Sequence, residues 1–426
     1  MFTFDSATLK YAVLLSLWLD YLWEQYLRTR QYKKIRRVTE VPEELQGVLS
    51  KKTFERTRLY MLERKRFAFV KDLLSIATST IVVLYEILPL VWDYTEQMNH
   101  LDDEVTRSCF WYISFTTLLA IINLPLTLYE IFVIERNYTP RKRNECLLWD
   151  KLKTFIWSQI FITIIASILV TLIQKGDEVI LATWGMFCAV ILLVGLTYPV
   201  MAPSRFRHLE ILKSAELRSE IVCLAAQLNF PLKEIYVEER FKRSPTQSVY
   251  FYGPSNQKNI VLVDSLFLKE DGLGCSDEEI LAILSLEFAR WYYNHAIKYV
   301  LSLEANLLIS FSAFFFLFKN PEVFEVFGFR SEQPVLVGVY VVLKYVMAFY
   351  STLLSFCFMY VSRRFVTQSD AFAVRLGKAK ALASALVRLD KNNLTFPIYD
   401  HLYSIWHHDK PPLVERIAAI MAPRLD

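Results

Sequence analysis

The sequence predicts a mainly α fold, with seven membrane-spanning helices and a cytosolic module in which helices pack with a few short strands. Three observations predict it. The 426 residues are 54% hydrophobic and 15% aromatic. Their apolar members gather in runs of roughly 18 or more with few charges, the length that crosses a bilayer. Lysine and arginine concentrate in alternate connections between those runs, and one long polar insert carries short segments of strand type.

The spans are expected near 9–27, 73–92, 110–132, 155–173, 180–201, 305–318 and 335–361. No basic n-region and cleavage pattern opens the chain, so the first run should remain as a span. It carries Asp20 and Glu24. Charges are costly in lipid, so these two either face protein or a water-filled interior, or lie near the headgroups. Arg28, Arg30, Lys33, Lys34, Arg36 and Arg37 follow the first span, and Arg136, Arg141, Lys142 and Arg143 follow the third. The connection after the second is acidic, with Asp93, Glu96, Asp102, Asp103 and Glu104. Basic loops stay in the cytosol, which puts the N-terminus in the lumen and the C-terminus in the cytosol.

The insert between spans five and six is cytosolic on this reading. Residues 209–228 show helical spacing, ended by Asn229-Phe230-Pro231, and strands are expected at 234–238, 249–252 and 260–264. Ser276 and Glu279 form a capping box that starts a helix over 280–300. From Ser362 onward, further helices are broken by Pro397 and by Pro411-Pro412. Three regions result: 1–203 with five spans, 204–300 as the cytosolic module, and 301–426 with the last two spans and a helical tail. A net charge of only +4 gives no reason to expect a nucleic-acid partner, and membrane lipid is the expected surroundings. The six cysteines include no CxxC pair, which argues against a thiolate metal site or a disulfide framework.

Several ordered stretches carry a resemblance. They are Phe230-Pro231-Leu232-Lys233-Glu234-Ile235-Tyr236-Val237, Tyr250-Phe251-Tyr252-Gly253 and Glu278-Glu279-Ile280-Leu281-Ala282-Ile283-Leu284. Further on come Ser362-Arg363-Arg364-Phe365, Asp370-Ala371-Phe372-Ala373 and Pro411-Pro412-Leu413-Val414-Glu415-Arg416. Tyr21-Leu22-Trp23-Glu24 and Phe327-Gly328-Phe329 fit as well. Over essentially its whole length the chain resembles the type I CAAX prenyl endopeptidases, integral-membrane zinc metalloendopeptidases. The resemblance implies seven helices around a large chamber, with a cytosolic metalloprotease-like α+β module. It also implies residence in the endoplasmic reticulum membrane, or the inner nuclear membrane, and prenylated CAAX proteins or peptides as partners.

The family chemistry requires an HExxH helix, in which two histidines four residues apart hold zinc and the Glu takes a proton from the metal-bound water. The matching window here reads Leu286-Glu287-Phe288-Ala289-Arg290. The third ligand, a Glu on a later helix, corresponds to Val366. Leucine and valine offer no donor atom and a guanidinium stays protonated, so no zinc cofactor is expected. Without zinc the attacking water keeps a pKa of about 15.7 rather than about 7. Glu287, Asp370 and Lys410 remain as candidate catalytic residues, Lys410 standing for a family His and still able to stabilise an oxyanion. Ser248, in place of a family Asn, with Tyr250 and Tyr252 are the candidate substrate-binding residues. The Tyr250-Phe251-Tyr252 run suits addition of an extended peptide as a further strand, or is an ordinary sheet strand.

A replacement metal site from His407, Glu287 and Asp370 is conceivable, with His100, His208, His295 and His401 read as surface or supporting residues. Ser285 reads as a helix-packing serine. Arg290 is expected either as a counter-ion for Glu287 and Asp370, standing in for the metal charge, or as a solvent-exposed partner of Glu287. The expected function is a pseudoprotease that binds prenylated peptides or acts as a membrane scaffold. The alternative is an active CAAX metalloendopeptidase with a non-standard ligand set. A transporter is a third reading.

Overall fold

The computed structural model describes residues 6–42, 50–98, 103–138, 142–206, 209–238, 249–254, 256–267, 274–391 and 396–422. Along the chain the helices are α1 (Ser6–Arg37), α2 (Lys51–Leu84), α3 (Ile87–Met98), α4 (Glu104–Tyr129), α5 (Arg136–Tyr138), α6 (Lys142–Gln174) and α7 (Asp177–Phe206). There follow β1 (Leu209–Ile211), α8 (Ala215–Gln227), β2 (Leu232–Glu238), β3 (Val249–Tyr252), β4 (Lys258–Val263) and α9 (Asp277–Tyr292). The rest is α10 (His295–Phe318), α11 (Pro321–Val326), α12 (Val335–Val341), α13 (Ala348–Arg375), α14 (Ala379–Lys391), α15 (His401–His407) and α16 (Leu413–Met421). The protein is therefore a mainly helical multi-span membrane protein with a small mixed sheet.

Among the described residues, five helices are long and apolar enough to cross a membrane, or six if α12 and α13 form one span bent by 60°. The seven expected spans differ from the structure at three places. Helix α1 is continuous over 32 residues, but Lys10, Asp20 and Glu24 interrupt its apolar stretch and it falls outside that set. The expected span 73–92 breaks at Glu86, whose φ of 54° is left-handed and ends α2. The expected span 335–361 passes through a π-helical turn at Val342–Val346 and bends at Met347 (φ −89°, ψ 6°). The acidic residues of α1 face protein: Glu24 lies 3.7 Å from Arg28, Arg28 lies 2.9 Å from Asp72 of α2, and Asp20 is half-buried near Thr352.

The chain forms two compact units. The first comprises Met1–Arg36, Arg58–Phe187 and Leu307–Ser355, and its core gathers Trp111, Phe115, Val83, Leu88, Phe327, Val337 and Tyr345. Within it, Phe327-Gly328-Phe329 docks on the Glu86 turn. Gly328 has φ +92°, and a Cβ there would come within 2.6 Å of the Glu86 carboxylate, so only glycine fits.

The second unit comprises Arg37–Thr57, Cys188–Asn306 and Phe356–Asp426. Its sheet has the order β1-β2-β4-β3; β2 and β4 are parallel and the outer pairs antiparallel. The three expected strands are present, with small shifts of their ends. Strand β1 falls where the helical spacing of 209–228 predicted helix, so α8 begins only at Ala215, capped by Ser214. Helices α8 and α9 bury one face of the sheet, with Ile221, Phe230, Ile260, Leu284 and Phe288 in a shared core. Both halves of the expected capping box are made: the Ser276 hydroxyl accepts from the Glu279 amide and the Glu279 carboxylate from the Ser276 amide. The helix expected over 280–300 instead stops at Tyr292, because Asn294 turns the chain with φ 53° before α10 begins.

Candidate functional site

Helix α9 sets one wall of the site. Three acidic residues in its first turn and Arg290 in its last complement the helix dipole, and its apolar residues bind it to the sheet. Glu287 is the exception among buried neighbours, with a side chain 20% exposed. Its carboxylate accepts from Arg290 Nη1 at 2.5 Å, one helical turn away. Burial pushes the Glu287 carboxyl above its ordinary value, while Arg290 and Lys410 pull it back.

Leu286, one turn before Arg290, is buried. It is 7% exposed and packs with Ala282, Ala373, Leu382, Leu386 and Ile420. Ser285 is fully buried and donates to the Leu281 carbonyl at 2.8 Å, as expected of a helix-packing serine. On α13, Val366 is buried at 8% exposure. His295, at the start of α10, stacks on Phe365 at 4.2 Å, and its Nε2 lies 3.1 Å from Gln368 Oε1. It thus joins α10 to α13.

Of the two expectations for Arg290, the structure fits the solvent-exposed partner of Glu287, its side chain being 44% exposed, and the counter-ion role for Asp370 fails. Asp370 is bound by Arg416 of α16, which donates Nε at 2.9 Å and Nη2 at 2.7 Å in a bidentate pair. With its negative charge met by a planar fork, Asp370 has no need of Arg290. Arg363 forms a second anchor. Its Nη1 donates to the Ser404 carbonyl and hydroxyl and to the Lys410 carbonyl at 3.2 Å, and its Nη2 lies 3.2 Å from Glu415. One buried guanidinium thus ties α15, the Asp409–Pro412 segment and α16 to α13. It fixes the backbone of Lys410, while the Lys410 side chain stays exposed and close enough to act on Glu287. Arg363 and Arg416 were legible only as parts of quoted stretches; an arginine on an otherwise apolar helix face was their signal. A cavity of about 450 Å³ opens beside both anchors, lined by Tyr360, Arg364, Thr367, Ile405 and Ile420 among others.

The sheet supplies the other wall. Among the described residues, strand β3 is at the edge of the sheet and pairs only with β4. Phe251 points into the core and meets Phe288 at 5.2 Å, which places β3 directly against α9 next to Glu287. Tyr250 and Tyr252 alternate to the opposite face: the Tyr250 hydroxyl donates to Glu238 at 2.9 Å, and the Tyr252 ring lies 6.3 Å from Tyr236. Gly253 then turns the chain with φ +114°, and a Cβ there would strike the Gln257 carbonyl at 2.5 Å. Ser248 lies outside the described residues.

The conceivable replacement site is not assembled. His407 packs against Tyr403 and His408 against Tyr399 in tilted pairs, both with ring centroids at 4.4 Å. Among the described residues no group of three His, Cys, Asp or Glu could hold a metal ion. His401 is exposed at the start of α15, and His100 and His208 lie outside the described residues.

Comparison with known proteins places these elements. Residues 31–204 match the CAAX prenyl protease N-terminal family of five membrane helices, and residues 212–424 match peptidase family M48. The chain is 34% identical to the human CAAX prenyl protease 1 homolog, covering 96% of this chain and 94% of that protein. It is 28% identical to CAAX prenyl protease 1 of Saccharomyces cerevisiae over 94% of this chain and 92% of that one. The crystal structure of S. mikatae Ste24p superposes with a TM-score of 0.73 at 25% identity, covering 99% of this chain and 100% of that chain.

Proposed function

We propose that this chain, which belongs to the CAAX prenyl protease 1 family of M48 peptidases, is a pseudoprotease that binds prenylated CAAX peptides in the membrane without hydrolysing them. The observation that carries the reading is what the side chains at positions 286, 290 and 366 do. Zinc requires imidazole, thiolate or carboxylate donors in a tetrahedral set. Leu286 is committed to an apolar cluster, Arg290 is ion-paired to Glu287, and Val366 is a buried hydrocarbon. The residues present do not fit a zinc ion in the M48 manner. Zinc would supply an activated water and polarise the scissile carbonyl. Glu287 acting alone on bulk water lacks both, and each 1.4 kcal/mol or so of missing transition-state stabilisation is about tenfold in rate.

What remains suits binding. Among the described residues the outer edge of β3 is unpaired and offers backbone groups to an extended peptide, with Tyr250 and Tyr252 on one face of the strand. We place the protein in the endoplasmic reticulum membrane with its N-terminus lumenal and its C-terminus cytosolic, on the distribution of basic residues. The division at 203 and 300 puts this module between spans five and six. The test is zinc content of detergent-purified protein after dialysis against a mild chelator, with cleavage of a farnesylated CAAX peptide measured on the same sample. Zinc far below about one equivalent with no cleavage supports the pseudoprotease. Stoichiometric zinc or turnover refutes it.

A further inference from the structure

We infer that Arg290 and Lys410 form a receptor for a free peptide carboxylate, and that the preferred ligand is a prenylated peptide already trimmed to its prenylcysteine α-carboxylate. The inference deepens the pseudoprotease reading and rests on it. Arg290 pairs with the Glu287 carboxylate at 2.5 Å, and the exposed Lys410 adds a second cation whose charge is felt at the same carboxylate. The site thus presents cationic groups where a peptidase of this family meets a neutral amide. A neutral amide gains little from a net cation. A carboxylate gains a charge-assisted pair.

The geometry supports the same ligand. Arg290 uses only Nη1 on Glu287, and its side chain is 44% exposed, so the remaining edge of the guanidinium is presented outward for bidentate pairing. Lys410 is exposed, and the backbone that carries it is held by Arg363 and followed by Pro411-Pro412. Strand β3 packs against α9 through Phe251 and Phe288. A peptide added to its open edge therefore runs beside α9, where its terminal carboxylate can meet Arg290. Removing three residues from a CAAX tail creates such a terminus on the prenylated cysteine, whereas the uncleaved tail carries its carboxylate three residues further on.

The test uses the full chain in detergent and four fluorescent farnesyl peptides: the trimmed acid, its methyl ester, the intact CAAX tail, and that tail esterified at its C-terminus. The expected result is binding of the trimmed acid about tenfold tighter than its ester, the scale of one charge-assisted hydrogen bond. Arg290→Met should erase the preference and Arg290→Lys restore part of it. Lys410→Met, at an exposed position, should weaken it with an unchanged melting temperature. Intact tail binding as tightly as the trimmed acid, and losing affinity on esterification, would keep the carboxylate receptor but assign it to the uncut terminus. Equal binding of acid and ester, a preference that survives both substitutions, or binding of none of the four overturns the inference. Cleavage of the intact tail overturns the pseudoprotease reading instead, and is seen separately as product.

Discussion

Removing Arg416 tests which charges hold the module together. Arg416 and Asp370 are 14% and 8% exposed at their side chains, and two hydrogen bonds of 2.9 and 2.7 Å join them. Arg416→Met leaves the Asp370 carboxylate buried without its partner. Breaking such a pair from one side costs about 3–5 kcal/mol, because the surviving charge keeps its desolvation penalty. For a unit of this size that is a fall in melting temperature on the order of 10 °C. Arg290→Met is the contrast: its pair with Glu287 is nearly half exposed on the arginine side and screened by water, so about 0.3–1 kcal/mol is expected. Adding Asp370→Asn to Arg416→Met should recover much of the loss, since two neutral groups then remain. The assay is intrinsic-fluorescence melting in detergent at fixed scan rate, with Arg375→Met as the exposed control. A shift for Arg416→Met no larger than that of Arg375→Met refutes the reasoning. So does a larger shift for Arg290→Met than for Arg416→Met.

Two further outcomes follow from the same site. Burial raises the Glu287 carboxyl above its ordinary value of 4.5, so the folded chain binds that proton more tightly than the unfolded chain. Its contribution is fully present below 4.5 and is lost as pH rises through the folded value; Glu287→Gln should flatten that part of the stability profile and Arg290→Met should steepen it. Superimposable melting-temperature profiles for the three proteins would contradict the assignment. Restoring donors with Leu286→His, Arg290→His and Val366→Glu together should create chelatable zinc of about one equivalent, measured by metal analysis against the unaltered chain. No gain in zinc by a folded triple variant would mean that these positions are not the ones that face a common centre.

The positions of the helices were readable because long apolar runs are unambiguous, whereas their breaks depend on single residues. Asn229 and Asn294 both adopt left-handed backbone, at φ 52° and 53°, and asparagine is the ordinary residue for that. Asn229 could be used as a stop because Pro231 follows it. Asn294 could not be separated from the helical run around it, and the expected helix over 280–300 ran through the break. Glu86 at φ 54° left no signal at all; its conformation is explained by the ion pair with Lys10 and by Gly328 packed against it, both distant in sequence. Strand β1 was lost in a helical spacing because three residues are too short for a period to register, and only pairing with β2 defines it. At the site, the windows around Glu287 and Val366 were found through resemblance. The partner of Asp370 was not, since Arg416 lies 46 positions along the chain on a separate helix and no local spacing links the two.

On the pseudoprotease reading proposed above, positions 286, 290 and 366 differ in how a protein can absorb a lost metal ligand. A histidine replaced by leucine at 286 gains a hydrocarbon that the neighbouring Ala373, Leu382 and Ile420 can cover, so the loss of a donor becomes packing. Val366 is buried in the same way. Position 290 is different, because Glu287 stays beside it and a carboxylate at one-fifth exposure needs a cation once no metal is there. Arginine at 290 meets that need from the same helix, one turn away, without any change elsewhere in the fold. A neutral residue at 290 would have left Glu287 dependent on Lys410 alone. On that reading, apolar side chains at 286 and 366 with a charged one at 290 form the pattern expected of a chain that keeps its module folded without a bound metal. It also leaves a cation in the groove, and a cation can still bind.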